Sequence, residues 1–508
     1  MHTKKIALAF AIFLLIFAIA QFMSPNIIGF DGYYHIKAAG IVKENGLIKE
    51  FPWAKHTILS ENYADIQFLF RLLQIPFIAF FGLALGAKIS AALFAAIAFT
   101  IFYWFLHNSK IKFPLFWSLL YVFTSVELMY RFLLGRQMPL AISLIILTVY
   151  FLQEKKYFLL GLASLIFVWL YSGFVIQLFI IFAYFLIEKI FTKKFDCKII
   201  FYPFFGAIAG LIINPYFPNN LSMLYIQIFK VNLLSNLYNV EWKPWPFLEF
   251  IKNNIIALFY FALSVFIIIK NKKLLEQSSV LEHSSASRKE TSPMWMAKMQ
   301  AYFLSLAVFF FAYTILSRRM QEYFIPFAIL ASAFIANDYF QSLEKSEKKK
   351  LLKTLRINGI ILIIIIGSVS FVLLKRDYIK TEFFHNYNGC AEWMKGNIPK
   401  GSLVFTNAYA FPYLFFKNSD VIYTHGIDLA YSYLHNPVKF ERYIGILQGN
   451  LKGKTDFILE DYAPDYVFSG KLKQDVQLFK YIVAHKENYK AVYEDEWCAV
   501  LKVGKKEN

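Results

Sequence analysis

The chain has 508 residues, 58% of them hydrophobic and only 17% charged, against about 45–50% and about 25% in an ordinary soluble domain, and this surplus of apolar side chains excludes a soluble enzyme, a disordered chain and a fibrous repeat. The mean hydropathy is +0.47, and with it the formal net charge of +19 points to basic loops at a cytoplasmic membrane face rather than to nucleic acid. The three cysteines, Cys197, Cys390 and Cys498, imply neither a disulfide framework nor a multi-cysteine metal site, although Cys390 and Cys498 can pair if both face an oxidising compartment.

In chain order, residues 6–23 follow Lys4 and Lys5 and are long enough to cross about 30 Å of hydrocarbon. Further apolar runs at 88–106, 114–130, 139–152, 157–171, 173–189, 199–213, 254–270, 300–316, 320–337 and 357–374 bring the predicted spans to 11. The stretch 66–85 is apolar but carries Arg71 and Pro76, and it reads as an interfacial or re-entrant helix. If it crossed, the basic connections 107–113, 153–156 and 188–198 would turn outward, against the preference of Lys and Arg for the cytoplasmic side. The expected topology therefore has a cytoplasmic N-terminus, outer loops 24–87 and 214–253, and a cytoplasmic linker 271–298. Within that linker, 275–292 is too poor in apolar residues to fold. The tail 375–508 alternates short helices and strands, and it ends in KAVYEDEWCAVLKV, two strands around an acidic turn. The expected fold is mainly α: a polytopic helical domain over 1–374, then an extracytoplasmic α/β domain over 375–508 with a mostly parallel sheet and an antiparallel end pair.

Chemistry concentrates in the outer segments. In GFDGYYHIKAAGIVKENG (29–46), Asp31 lies just past the first span, where a half-dry carboxylate can act as general base or metal ligand. It can equally serve the start of a helix near Tyr34. Tyr33 and Tyr34 offer flat faces, His35 a titratable ring, and Gly32 a place for the chain to turn. Asp65 stands before the apolar stretch as a site carboxylate or a helix cap, in a loop shared with Glu61 and Arg71. Arg131 and Arg136, and then Arg318 and Arg319 beside Glu322, oppose the orientation bias. Their forked donors suit a lipid phosphate, with interfacial snorkelling as the other reading. Pro215 and Pro218 close a span, a Trp242–Pro–Trp245–Pro cluster follows, and Glu241 is either a solvated charge or a second site carboxylate. No GxxxxGK[ST], GxGxxG after a soluble strand, HExxH or CxxC pair occurs.

Taken together, these segments resemble the GT-C class of membrane glycosyltransferases, and in particular the single-chain catalytic subunit of oligosaccharyltransferase. FDGYYHIKAA is similar to that family's first acidic motif, SVELMYRFLLGRQMPLAISL to its second outer loop, YNVEW to its loop glutamate, and SRRMQEYFIPFAILA to its arginine entry to a late span. SLVFTNAYAFPYLFFKNSDVIYTHGID resembles the start of its outer domain. Two motifs depart from the family. GRQMP stands where a DxD-like pair belongs, and TNAYAF stands in place of the WWDYG that binds the acceptor sequon. The resemblance implies transfer of a sugar from a polyprenyl-phosphate donor to a glycan, lipid or protein acceptor among membrane lipids. Asp31 would be the base, with no cofactor required. Arg131 with Arg318 or Arg319 would hold the donor phosphate, Tyr33 and Tyr34 the sugar, and Glu241 would be a secondary carboxylate. The alternatives are a metal-dependent oligosaccharyltransferase with Mg²⁺ or Mn²⁺ on Asp31 and Glu241, and a non-catalytic glycolipid-binding or transport protein.

Overall fold

A computed structural model of the chain describes residues 2–231, 234, 239–270, 293–451, 453–473 and 475–504. The chain divides into two compact units: Met1–Met23 with Ala91–Ile213 and Asn239–Arg376, and Ser24–Ser90 with Asn214–Tyr238 and Asp377–Asn508. It is a multi-pass membrane protein. Among the described residues, seven helices are long and apolar enough to cross a bilayer, and Val126–Leu133 with Met138–Gln153, bent by 106°, counts as an eighth if the pair is one span. The other three predicted spans are Pro114–Phe123, Tyr157–Leu170 and Lys198–Ile212, shorter than the roughly 20 residues of an upright crossing. The run predicted at 114–130 is broken at Thr124–Ser125, where the Ser125 hydroxyl accepts from the Leu128 amide and caps a new helix. Residues 271–292 of the expected linker lie outside the described residues. Its last part is helical instead, within Pro293–Leu316, and there Lys298 reaches Glu188 at 2.6 Å.

Within the first unit, small residues decide which helices touch. Tyr157–Leu170 lies against Lys198–Ile212 so closely that a Cβ on Gly206 would stand 2.0 Å from the Gly161 carbonyl oxygen. One on Gly210 would stand 2.9 Å from that of Leu165. The GAIAG run at 206–210 thus brings backbones together, the usual device where lipid supplies no hydrophobic drive between helices. Gln321–Ser342 is buried along nearly its whole length and Phe247–Lys270 along little of it, so the former is this unit's central helix. Gly135, at φ +65°, turns the chain between Val126–Leu133 and Met138–Gln153 and sets Arg136 at the bend.

The second unit is built on a five-stranded sheet. Its strands are β1 (Leu403–Phe405), β2 (Ile422–Tyr423), β3 (Tyr466–Gly470), β4 (Tyr489–Glu494) and β5 (Cys498–Val503), in the order β2-β1-β3-β5-β4. Two pairings are parallel (β1 with β2 and β3) and two antiparallel (β5 with β3 and β4). The sheet is therefore evenly mixed, not mostly parallel, because β5 returns from a tight turn to lie between β3 and β4. Residues 53–56 extend the β2 edge. Trp53 accepts from the Tyr423 amide, the Lys55 amide donates to Tyr423 O, and Ala54 forms a parallel bridge with Tyr423. Cys390 and Cys498 form a disulfide that ties helix Asn388–Asn397 to β5. Phe68–Asn108 is two helices in succession: the stretch predicted at 66–85 forms the first, from Phe68, and Gly82, whose φ of +72° breaks the helical path, separates it from the second.

Candidate active site

Three arginines of the first unit meet on one carboxylate. Glu241, on a single turn Val240–Trp242, receives Arg131 at 3.0 and 3.3 Å, one contact to each oxygen, and Arg136 at 3.0 and 3.2 Å. Arg319 stands 3.9 Å away. Arg131 also donates from Nε to Glu322 at 2.5 Å, and Arg319 donates to the Tyr171 hydroxyl at 3.1 Å. Burial alone would raise the Glu241 pKa, but Arg131, Arg136 and Arg319 outweigh it and hold the carboxyl well below the usual range. The two tryptophans of the Trp–Pro cluster each carry an arginine on the ring face: Arg319 lies 5.1 Å over Trp242 and Arg318 lies 4.7 Å over Trp245. Arg318 otherwise pairs with Glu249 at 3.7 Å. Of the two candidate arginines at this entry, Arg319 joins the cluster. Glu322 and Tyr171 complete it, and nothing in the sequence signals Tyr171.

The first-loop residues all fall in the second unit. Asp31 is 6% exposed and occupies the first turn of helix Asp31–Asn45, where a negative charge meets the positive end of the helix dipole. The sharp turn before it is made by Gly29, at φ +67°, and not by Gly32, which is helical. Tyr33 donates to or accepts from His385 Nε2 at 2.9 Å and packs edge-on against Tyr413 and Phe416. Tyr34 packs among Phe51, Phe411 and Phe415, with the Arg71 guanidinium 5.0 Å over its ring. Asp65 accepts from the Gln67 amide at 2.9 Å, capping the start of helix Phe68–Asn108, and from Arg71 Nε at 3.2 Å. Arg71 also contacts His35 Nδ1. Burial and then the Arg71 charge push the His35 pKa well below 6.5, so the ring is neutral at physiological pH. Asp65 is thus both a cap and half of a buried ion pair, and Arg71 is the residue that organises His35, Tyr34 and Asp65.

Asp31 and Glu241 belong to different units, and among the described residues neither falls in a group of three His, Cys, Asp or Glu side chains close enough to share an ion. The one such group is Cys390, Asp495 and Cys498, and its two sulfurs are bonded to each other. The donor set around Glu241 suits an anion better than a cation. Both its oxygens already accept from guanidiniums, and a dication there would face three positive side chains.

No family model matches the chain, and neither does any curated protein. Solved structures do. The oligosaccharyltransferase of Archaeoglobus fulgidus in its apo form superimposes with a TM-score of 0.61 at 11% identity, over 99% of this chain and 75% of its own. ArnT from Cupriavidus metallidurans, bound to undecaprenyl phosphate, does so with a TM-score of 0.57 at 10% identity, over 98% of both chains. The chain has the GT-C fold. The archaeal enzyme, named AglB, is also similar in complex with an inhibitory peptide and a dolichol-phosphate, with a TM-score of 0.59 at 11% identity over 96% of this chain and 73% of that one. The GT-C fold thus carries, on this chain's own residues, a three-arginine cluster in its first unit and a buried Asp31 in its second.

Proposed function

We propose that the protein is a membrane glycosyltransferase that moves a sugar from a polyprenyl-phosphate donor to an acceptor hydroxyl on the outer face of the membrane. The observation that carries this reading is the convergence of Arg131, Arg136 and Arg319 on a single anion. Guanidinium forks match phosphate oxygens two at a time. Solved proteins of the same fold are bound to dolichol-phosphate and to undecaprenyl phosphate. The Cys390–Cys498 bridge supports an outer location for the tail, since disulfides persist in oxidising compartments.

The chemistry requires little of the protein. The bond from the sugar's anomeric carbon to the phosphate oxygen breaks, and the acceptor oxygen takes its place on that carbon. The acceptor's proton goes to the Asp31 carboxylate, and the polyprenyl phosphate leaves with one more negative charge than it carried as a diester. The arginine cluster stabilises that added charge, and Asp31 supplies the base. The contacts of Glu241 with three guanidiniums weigh against the metal-dependent oligosaccharyltransferase, so EDTA is expected to leave transfer unchanged. The absence of WWDYG at TNAYAF (406–411) weighs against a protein sequon as acceptor.

The test is transfer in proteoliposomes from a polyprenyl-phosphate sugar. Asp31→Asn is expected to lose at least about 100-fold in rate while keeping the wild-type melting temperature. Full activity in the variant removes Asp31 from the mechanism, and abolition of wild-type transfer by EDTA restores the metal reading.

A further inference from the structure

The arginine seat is built for more oxygens than its present occupant has. Glu241 offers two, and these take two contacts each from Arg131 and Arg136. Arg319, at 3.9 Å, is an ion-pair neighbour too distant for a hydrogen bond to the same carboxylate. The donor's phosphodiester brings two free oxygens and, as its bond to the sugar breaks, a third anionic oxygen to the same point, and so can take a donor from all three. The two acidic residues around the seat are also unlike one another. Glu322 sits on the buried helix Gln321–Ser342 with 3% of its side chain exposed, and it holds Arg131 from behind. Glu241 sits on one turn of a connecting segment with 23% exposed. The first is part of the wall, and the second can leave.

We infer that Glu241 is a placeholder anion: it occupies the seat of the donor's phosphate in the empty protein, and the phosphate displaces it on binding. This rests on the reading of the arginine cluster as a donor-phosphate site and adds an exchange to it. One buried and two half-buried guanidiniums with Glu322 alone to offset them would be costly. A carboxylate supplied by the chain keeps them folded and aimed, at the expense of affinity, because every phosphate must compete with it. Such an exchange also favours release of the product, since Glu241 is at hand to retake the seat. In this account the substrate class is a lipid phosphate, the diester donor presenting two free oxygens and the leaving polyprenyl phosphate three, and the low pKa of Glu241 keeps the competitor charged over the physiological range.

The experiment compares wild type, Glu241→Gln and Arg136→Ala, each purified as the full chain in detergent. It measures binding of undecaprenyl phosphate and the melting temperature with and without millimolar inorganic phosphate. Glu241→Gln keeps the shape and removes the competing charge. It is expected to bind the lipid at least about tenfold more tightly than wild type. Its melting temperature, lowered by the exposed arginine charges, should be raised by inorganic phosphate far more than that of wild type. Equal or weaker lipid binding by Glu241→Gln, with wild type binding and Arg136→Ala not, overturns the placeholder and leaves the donor-phosphate site standing. Equal binding by wild type and Arg136→Ala, or none by any of the three proteins, overturns the site and the placeholder together. Glu241→Ala, which cannot hydrogen-bond the arginines at all, should show the same phosphate-dependent rise in melting temperature, and its failure to do so counts against the exchange.

Discussion

Each unit holds an arginine–carboxylate cluster, and the two clusters use the same side chains for different ends. In the second unit Arg71 and Asp65 are 3% and 6% exposed. Arg71 Nη1 reaches His35 at Nδ1 and at the carbonyl oxygen, and the flat face of the guanidinium lies over Tyr34. In the first unit Glu241 is shared among three arginines, with Arg136 and Arg319 at 15% and 20% exposure. A one-to-one buried pair locks a fold, because neither member can leave without stranding the other. A cluster of three arginines on two carboxylates, with partial access, is arranged to accept a further anion. Stoichiometry and access, more than the presence of arginine, separate a structural site from a binding site.

The largest test of that contrast is Arg71→Ala. It leaves Asp65 buried without its cation, and the expected cost is about 3–5 kcal/mol, read as a fall in melting temperature, with lipid-phosphate binding intact in whatever remains folded. Normal stability with lost binding would reverse the assignment of the two clusters. Next in size is Arg136→Ala. Glu241 keeps Arg131 and Arg319, so stability should change little, while affinity for undecaprenyl phosphate should fall by about tenfold or more, the worth of one or two charge-assisted hydrogen bonds. A variant that melts much lower and binds as well as wild type would make the first cluster structural too.

Much of the first contrast is legible in the sequence, and much of the second is not. Arg131, Arg136, Glu241 and Arg319 stand out one at a time, because charge at an apolar boundary needs a reason. Hydropathy marks the helices that carry them. That they share one point is a product of tertiary packing, and spacing along the chain carries no trace of it. Residues 24–87 read as a loop by composition. Yet Trp53, Lys55 and Tyr423 pair across more than 360 residues of sequence, and a three-residue edge pairing leaves no alternating pattern to detect. Gly32 and Gly29 show the same limit on a smaller scale: the need for a turn before the helix is visible, but which glycine adopts a positive φ is decided by what packs against it. Tyr171 closes the cluster through a hydroxyl at the end of an otherwise apolar helix, where its residue type is too common to be a signal.

A third buried carboxylate extends the comparison to its limit and gives the smallest expected effect. Asp475 is 1% exposed, and among the described residues no cation pairs with it. Its oxygens accept from the Tyr387 hydroxyl and from Asn407 Nδ2. Burial pushes its carboxyl up to about 6, and those two hydrogen bonds only partly offset the rise. Because the folded value lies above that of an unfolded aspartate, near 3.9, the folded state binds the proton more tightly. The stability this contributes is complete below the unfolded value and is lost as pH rises through 6. Between pH 5 and pH 8 the loss amounts to about 1–2 kcal/mol. Asp475→Asn, which does not titrate, should abolish that part of the fall in melting temperature while leaving the rest of the pH profile in place. Glu241, held low by its arginines, predicts no such fall over the same range, and Glu241→Gln should leave the slope unchanged. If the two variants exchange behaviours, the ranking of these carboxylates by the number of cations around them is wrong.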